Sequence, residues 1–292
     1  MKLTNQMNLP QPFVDAASRS YAYRPKRYSV TSILKGARQC ILERRHDAEI
    51  EQDVADQVWA IFGTAVHSIL ENATETETQL KENKLVVDMP NGYQLSGIFD
   101  LYDDATGTVT DYKTASVWKF NFGEFDDWRK QTLIYCWMLR QIGFDAHRGE
   151  IVSMLKDHSK TQAKIGKHPA HPVQRISWEF SDAEIDECGA WLKTRFEEFA
   201  AAEQLPDDRL PMCTKEERWG KDDVWAVKKK GSVRASKLHK SEADAEADAA
   251  ARTEREGRQY VVEFRPGEDA RCRDYCSACK FCDHYKRIVQ EA

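Results

Sequence analysis

Residues 95–114 read LSGIFDLYDDATGTVTDYKT and predict two short strands joined by a turn. The first strand is apolar around Asp100, and the turn includes Gly107, which can adopt a positive φ angle. On the second strand, Asp111 and Lys113 point to the same face because side chains alternate along a strand. Pairing of the two strands as a hairpin brings Asp100 close to Asp111. The stretch therefore predicts two carboxylates and one ammonium group at one place on a sheet.

This group of charges indicates a divalent metal site. Carboxylate oxygens are the ligands that Mg²⁺ and Mn²⁺ prefer. A lysine beside them can orient a water molecule and offset the charge that builds on a phosphate. An acid-X-lysine pair is also common on solvated strand faces, so the assignment depends on the rest of the chain.

The composition is that of a folded protein with a core, because 41% of the 292 residues are hydrophobic and 31% are charged. No apolar run approaches the ~20 residues that span a membrane, and the first residues lack the basic-then-apolar pattern of a signal peptide. We therefore expect a cytoplasmic protein with reduced cysteines and no membrane partner. The net charge of −5 excludes a basic DNA-coating protein, whereas an enzyme needs positive potential only in its groove.

Alternating strand and helix patterns predict an α/β (α+β) fold, in which helices flank a central mixed sheet. This sheet includes a three-stranded meander over residues 85–114. Composition divides the chain into four segments. They are an N-terminal arm (1–27), a core (28–215), a small hairpin-and-helix insert (216–268) and a cysteine-rich tail (269–292).

Two amphipathic helices carry polar residues that the apolar pattern does not require. A long helix over about 51–73 contains His67, although a histidine in such a place is more often structural. A second helix over 128–142 places Gln131 and Tyr135 one turn apart, so that both lie on the same face. These side chains are candidates to join the carboxylates.

The C-terminal region contains four cysteines within eleven residues: Cys272, Cys276, Cys279 and Cys282. Chance or burial explains such a density poorly in a reduced protein, so the spacing indicates a soft-metal site. Thiolates alone fit zinc and a 4Fe–4S cluster equally well.

Taken together, these residues resemble the RecB-type branch of the PD-(D/E)XK nuclease superfamily. The order of the shared motifs is a helical histidine, a strand acid, an acid-X-lysine and a glutamine-tyrosine helix, here His67, Asp100, Asp111-Tyr112-Lys113, and Gln131 with Tyr135. The likeness is greatest to phage-encoded RecB-like exonucleases and to the iron–sulfur exonucleases of CRISPR adaptation. It covers about 29–285 outside the insert and implies a restriction-endonuclease-like fold for the core.

The resemblance implies a Mg²⁺- or Mn²⁺-dependent DNA exonuclease that hydrolyses phosphodiester bonds in phage DNA recombination, repair or replication. The implied metal ligands are three side chains and one main-chain carbonyl: His67, Asp100, Asp111 and the carbonyl of Tyr112. Lys113 would position the attacking water. Gln131 and Tyr135 would orient the DNA backbone or the lysine.

The same resemblance implies a 4Fe–4S cluster, with zinc as the alternative. Three ligands have the spacing of the family: Cys272, Cys276 and Cys282. A Pro-x-Cys-Thr segment makes Cys213 the preferred fourth ligand, and Cys40 is the alternative that the CRISPR relatives suggest. Cys279 is then spare, or becomes a ligand if the site binds zinc.

The implied partner is DNA with a free end or a single-stranded region. A recombination or single-strand-annealing protein is a second candidate partner, and a phage-encoded protein would work in the host cytoplasm. The alternative is a non-catalytic DNA-binding protein that retains the fold around a structural zinc. A helicase subunit is disfavoured, because the sequence has no GxxxxGK[ST] phosphate loop.

Overall fold

The computed structural model describes residues 1–18 and 23–290, so parts of the predicted arm (19–22) and tail (291–292) lie outside the described residues. The chain forms two compact units, Met1–Leu210 and Pro211–Ala292. The predicted insert and tail therefore belong to a single unit. Among the described helices, none combines the length and the apolar character needed to cross a membrane.

The first unit contains strands and helices in alternation. Its strands are β1 (Lys2–Thr4), β2 (Arg27–Ser29), β3 (Glu51–Asp53), β4 (Gln79–Lys81), β5 (Lys84–Met89), β6 (Tyr93–Ile98), β7 (Leu101–Asp103), β8 (Thr108–Ala115), β9 (Arg148–Leu155) and β10 (Val173–Glu179). Its helices are α1 (Gln11–Ala17), α2 (Val30–Ile33), α3 (Ala37–Arg45), α4 (Val58–Glu71), α5 (Val117–Phe122), α6 (Asp126–Arg140), α7 (Lys160–Lys164) and α8 (Asp182–Glu203).

The main sheet has five strands in the order β10-β9-β8-β7-β4. The central pair, β8 and β9, is parallel, and the other pairs are antiparallel. Helix α6 lies against β8 and β9 and buries most of its length. Gly149 permits this close approach, because a Cβ atom there would lie 2.3 Å from Thr132 Oγ1. The predicted mixed sheet flanked by helices is confirmed.

The predicted three-stranded meander is wrong, because the chain leaves one sheet and enters another at Phe99 and Asp100. β5 and β6 form a hairpin as predicted, but their sheet is completed by β2 in the order β2-β6-β5. β7 begins only at Leu101 and pairs with β8. At this break the Asp100 carboxylate accepts a hydrogen bond from the Tyr112 amide of β8 (2.6 Å), so a side chain contacts β8 at the point where strand pairing would otherwise continue. Phe99 is buried beside this break.

The N-terminal segment is more ordered than its composition predicts. β1 pairs in parallel with β3, and α1 follows. The Asp53 carboxylate accepts hydrogen bonds from Thr4 Oγ1 (2.7 Å), the Gln6 amide (3.0 Å) and the Ala55 amide (3.0 Å). These bonds also explain why the predicted helix over 51–73 begins late. Its first residues are β3 and a 3₁₀ turn that Asp53 caps, and α4 starts at Val58.

The second unit contains a small antiparallel sheet with one long helix against it. Its strands are β11 (Val224–Lys229), β12 (Lys237–His239) and β13 (Tyr260–Arg265), in the order β12-β11-β13. Its helices are α9 (Lys215–Arg218), α10 (Glu242–Glu256) and α11 (Asp283–Gln290), and shorter turns lie at Arg271–Tyr275 and Cys279–Phe281. Ala245 and Ala249 of α10 pack on Val227 and Tyr260.

Candidate active site

Strand β8 presents the predicted acid-X-lysine pair on one face. Lys113 Nζ lies 2.6 Å from Asp111 Oδ2, so the two side chains form an ion pair. Asp111 is almost fully buried, whereas about a quarter of the Lys113 side chain is exposed (23%). The lysine therefore has its ammonium group at the boundary between the buried carboxylate and the solvent.

Asp100 lies in the break between β6 and β7, next to Asp111 and not within a continuous strand. Its Oδ2 accepts the hydrogen bond from the Tyr112 amide, and its Oδ1 lies 3.2 Å from His67 Nδ1. Helix α4 supplies His67 from the other side, and its side chain is about one third exposed. The structure thus brings His67, Asp100, Asp111 and Lys113 together, as the sequence predicts.

Helix α6 supplies Gln131 and Tyr135 to the same place. Gln131 Nε2 donates to Asp111 Oδ1 (3.0 Å), and the Gln131 side chain also forms a hydrogen bond with Tyr135. Burial raises the pKa of Tyr135 above its usual value. A Cβ atom at Gly97 would lie 2.6 Å from Tyr135 Cε1, so this glycine leaves the space that the tyrosine ring occupies.

The buried position of Asp111 disfavours the ionised form of its carboxylate. Burial raises the pKa of Asp111, and the nearby Asp100 charge raises it further, while Lys113 opposes both effects. The hydrogen bond to Asp100 raises the pKa of His67. A bound divalent cation would reverse this situation, because its charge favours deprotonated carboxylates and a neutral imidazole.

The donor set fits a hard divalent cation. Asp111 Oδ2 is buried and, within the part of the chain that the structure describes, has no hydrogen bond of acceptable geometry despite its ion pair with Lys113. Such an atom has an unused lone pair that a metal can take. Carboxylate oxygens together with one imidazole suit Mg²⁺ or Mn²⁺.

Glu82 is a member of this site that the sequence did not reveal. Donor atoms of Glu82, His67 and Asp100 all lie within 4.8 Å of one another. The residue occupies the turn between β4 and β5 with φ of 50°, and its amide donates to the Asp100 carbonyl (3.2 Å). Burial and then the Asp100 charge raise its pKa. An acid in a polar turn gives no sequence signal, because only the tertiary fold brings that turn to Asp100.

These residues border an open groove of about 590 Å³. One wall is a face of α4, and the other is formed by Glu82, Ile98 and Asp100. Gly63 faces this groove without a tight contact, because a Cβ atom there would lie 3.9 Å from Thr114 Oγ1. The groove gives a substrate access to the carboxylates from the solvent side.

The second unit contains the other candidate metal centre. Burial raises the pKa of the Cys272 thiol to about 12, and the Asp269 charge and then the nearby thiols of Cys213 and Cys282 add to this effect, which Arg218 opposes. Cysteine thiols within electrostatic reach of one another fit a site that binds a soft cation.

Two donors that the sequence did not indicate join this centre. Donor atoms of Asp269, Cys272 and His284 lie within 4.8 Å of one another, and His284 Nε2 is 2.5 Å from Asp269 Oδ2. Cys279 forms a hydrogen bond with Tyr285, and burial raises its pKa. In the first unit, the buried Cys40 thiol donates to the Ser32 carbonyl (3.2 Å).

Comparison with known proteins agrees with this geometry. The sequence profile of the PD-(D/E)XK nuclease superfamily matches residues 76–283, which include β8 with its acid-X-lysine and the cysteines from Cys213 to Cys282. The chain belongs to the PD-(D/E)XK nuclease superfamily. His67 precedes the matched region. No curated protein matches the sequence.

Two solved structures resemble the chain weakly. The crystal structure of SSO0001 shares 16% identity, with 67% of this chain and 86% of that chain covered and a TM-score of 0.46. The crystal structure of a phage-related exonuclease from Haemophilus somnus 129PT shares 9% identity, with 57% and 74% covered and a TM-score of 0.27. Both TM-scores are too low to carry an argument about this chain.

Proposed function

We propose that this chain is a divalent-metal-dependent deoxyribonuclease that degrades DNA from its ends. The observation that carries the proposal is the convergence of Asp100, Asp111 and Lys113 beside an open groove. Membership of a nuclease superfamily supports hydrolysis of a phosphodiester bond. The preference for ends rests on the resemblance of the motif order to RecB-type exonucleases.

The protein groups have distinct parts in this mechanism. The four groups that would hold the metal are the side chains of His67, Asp100 and Asp111 and the carbonyl of Tyr112. The ion, when bound, would acidify a water molecule and stabilise charge on the phosphate. Gln131 fixes the orientation of Asp111 through its hydrogen bond to Oδ1. Tyr135 would help to orient the Gln131 amide, with which it shares a hydrogen bond.

Lys113 would act on the water and the phosphate. Its ammonium group pairs with Asp111 Oδ2 (2.6 Å). Once a cation shares that carboxylate, the partly exposed ammonium group can donate to the attacking water or to a phosphate oxygen. Its position between buried carboxylate and solvent suits both contacts.

A DNA digestion assay tests the proposal. We expect the purified protein to hydrolyse end-labelled linear DNA with Mg²⁺ or Mn²⁺ and to fail with EDTA or Ca²⁺, which accepts longer bonds and looser geometry. We expect covalently closed circular DNA to survive. Cleavage of the circles would contradict action from ends. Full activity in EDTA would contradict the metal mechanism. If no DNA is hydrolysed under any condition, the result favours the non-catalytic alternative.

We further propose that Glu82 contributes to metal binding. Replacing Glu82 by glutamine keeps the size of the side chain and removes its charge, so we expect Mn²⁺ affinity to fall by about tenfold, the lower end of the effect of altered metal surroundings. Paramagnetic resonance of free Mn²⁺ measures this directly, without catalysis. Glu77→Gln is the control, because Glu77 is an exposed acid in the preceding loop. Equal Mn²⁺ affinity in both variants would remove Glu82 from the site.

We also propose that Cys213, Cys272, Cys276 and Cys282 hold a 4Fe–4S cluster. The electrostatic influence of Cys213 and Cys282 on Cys272 supports a shared site, and the choice of iron over zinc rests on the resemblance. Asp269 and His284 would orient the ligands or bind a zinc ion in its place. A cytoplasmic location and a recombination or single-strand-annealing partner stay predictions that rest on the sequence and its family resemblance.

A further inference from the structure

Three large aromatic side chains are exposed on two helices, two of them on α5, which follows β8, and one on α4. Trp59 and Trp118 are each 56% exposed, and Phe122 is 68% exposed. We call these three residues the aromatic surface. Exposure of large aromatic side chains to water is energetically unfavourable. A cluster of them on the surface therefore marks a binding site more often than scattered aliphatic residues do.

Two of the three aromatic residues of α5, Trp118 and Phe122, lie on its solvent side. Trp118 and Phe122 stack with a centroid separation of 5.8 Å and an interplanar angle of 23°. Phe120, on the same helix, instead packs against the core cluster around Trp128. Phe120 therefore anchors α5 to the core without help from the stacked pair. Packing against the core does not explain why residue 118 is a tryptophan.

Hydrogen bonds fix α5 to the ends of the two central strands. The Asp157 carboxylate accepts from Ser116 Oγ (2.6 Å) and from the Val117 amide (2.8 Å). The Lys156 amide donates to the Ala115 carbonyl (2.9 Å). Since Ala115 is two residues beyond Lys113 on the same strand, about 7 Å along it, the start of α5 has a rigid connection to the candidate site.

Trp59 reaches the same end of the sheet from α4, the helix that also supplies His67. The Lys156 ammonium group lies 3.9 Å from the centroid of the Trp59 ring. This cation–π pair leaves the second face of the ring for another planar group and adds a positive charge beside it. None of the α4 residues is buried, although the helix is rich in apolar side chains.

We propose that the aromatic surface binds unpaired bases of single-stranded DNA and leads the strand into the site. Aromatic faces with adjacent lysines are the chemistry that recognises single strands, because bases stack on the rings and the cations meet the phosphates. A duplex hides the faces of its bases and cannot stack in this way. The proposal rests on the proposed function, since it takes DNA to be the substrate.

Binding in the absence of cleavage tests this surface. The probes are fluorescent (dT)₂₀ and a sugar-phosphate chain of the same length without bases, both measured by anisotropy in EDTA. We expect the wild-type protein to bind (dT)₂₀ about tenfold more tightly, within the range of stacking on one or two rings. We expect Trp118→Ala and Trp59→Ala each to reduce this ratio several-fold, and Trp118→Tyr to retain it.

Trp191→Ala is the matched control, because Lys130 Nζ of α6 lies 3.6 Å from the centroid of that α8 ring in a similar cation–π pair. An unchanged ratio in both Trp118→Ala and Trp59→Ala, with thermal midpoints like that of the wild type, would overturn the proposal. So would a wild-type dimer in light scattering that both variants abolish, which would assign the surface to a second copy. Base-dependent binding without any DNA hydrolysis would instead contradict only the proposed catalysis.

Discussion

Replacing Asp111 by asparagine is expected to lower DNA hydrolysis by about three orders of magnitude, the effect of removing one main electrostatic contact to the reacting groups. Asparagine keeps the oxygen that accepts from Gln131 but loses the charge that pairs with Lys113 and would bind the metal. The fold should persist, because burial already disfavours the Asp111 charge and raises its pKa. We therefore expect a thermal midpoint in EDTA equal to or above that of the wild type.

Lys113→Ala should show the same loss of hydrolysis with a different metal readout. The lysine is not a ligand, so we expect Mn²⁺ binding to survive in this variant and to weaken strongly in Asp111→Asn. Asp88→Asn is the control, because Asp88 is an acid of β5 whose carboxylate bonds only to Gln94 among the contacts described. Near-wild-type hydrolysis by either purified site variant would remove this site from the mechanism.

The predicted convergence of Asp100, Asp111 and Lys113 required only local information. Alternation along a strand places Asp111 and Lys113 on one face, and a short turn with Gly107 at φ of 60° returns the chain antiparallel. Helical spacing likewise aligns Gln131 with Tyr135. These rules use sequence separations of a few residues, so they need no knowledge of the tertiary fold.

The features that the sequence did not indicate depend on contacts between distant side chains and the main chain. At the break at Phe99 and Asp100, the Asp100 carboxylate accepts from the Tyr112 amide of another strand. Glu82 enters the site through the turn between β4 and β5, where its amide donates to the Asp100 carbonyl (3.2 Å). The order of the first residues similarly depends on Asp53, which is far from them in sequence.

In the cysteine-rich tail, part of the candidate site follows from local sequence spacing and part depends on contacts between distant residues. The spacing of Cys272, Cys276 and Cys282 predicts a site from sequence, but the fourth ligand that we propose, Cys213, belongs to a remote segment. A polar chain connects that segment to the tail: Arg218 donates to the Cys213 carbonyl and pairs with Asp269 (3.0 Å), which contacts His284 (2.5 Å). These contacts lie within one unit and would hold Cys213 beside Cys272.

Replacing Cys213 by serine is expected to remove the metal cluster and to destabilise the second unit. Metal binding by thiolates supplies folding free energy to segments with small cores, so the loss of one ligand acts on the whole unit. Anaerobically purified wild-type protein should be brown, with a broad absorption band near ~400 nm and bound iron. Cys213→Ser should be colourless and iron-free, and its second unit should be cleaved first in limited proteolysis.

Cys40→Ser is the matched control for this prediction. The Cys40 thiol is buried and donates to the Ser32 carbonyl, and a serine hydroxyl can make the same bond. We expect this variant, and Cys279→Ser, to keep the iron content of the wild type. Iron retained by Cys213→Ser and lost by Cys40→Ser would assign the fourth ligand to Cys40. Colourless wild-type protein with one stoichiometric zinc would reverse the choice of metal, and a dependence on Cys279 would then identify a zinc site formed by the tail.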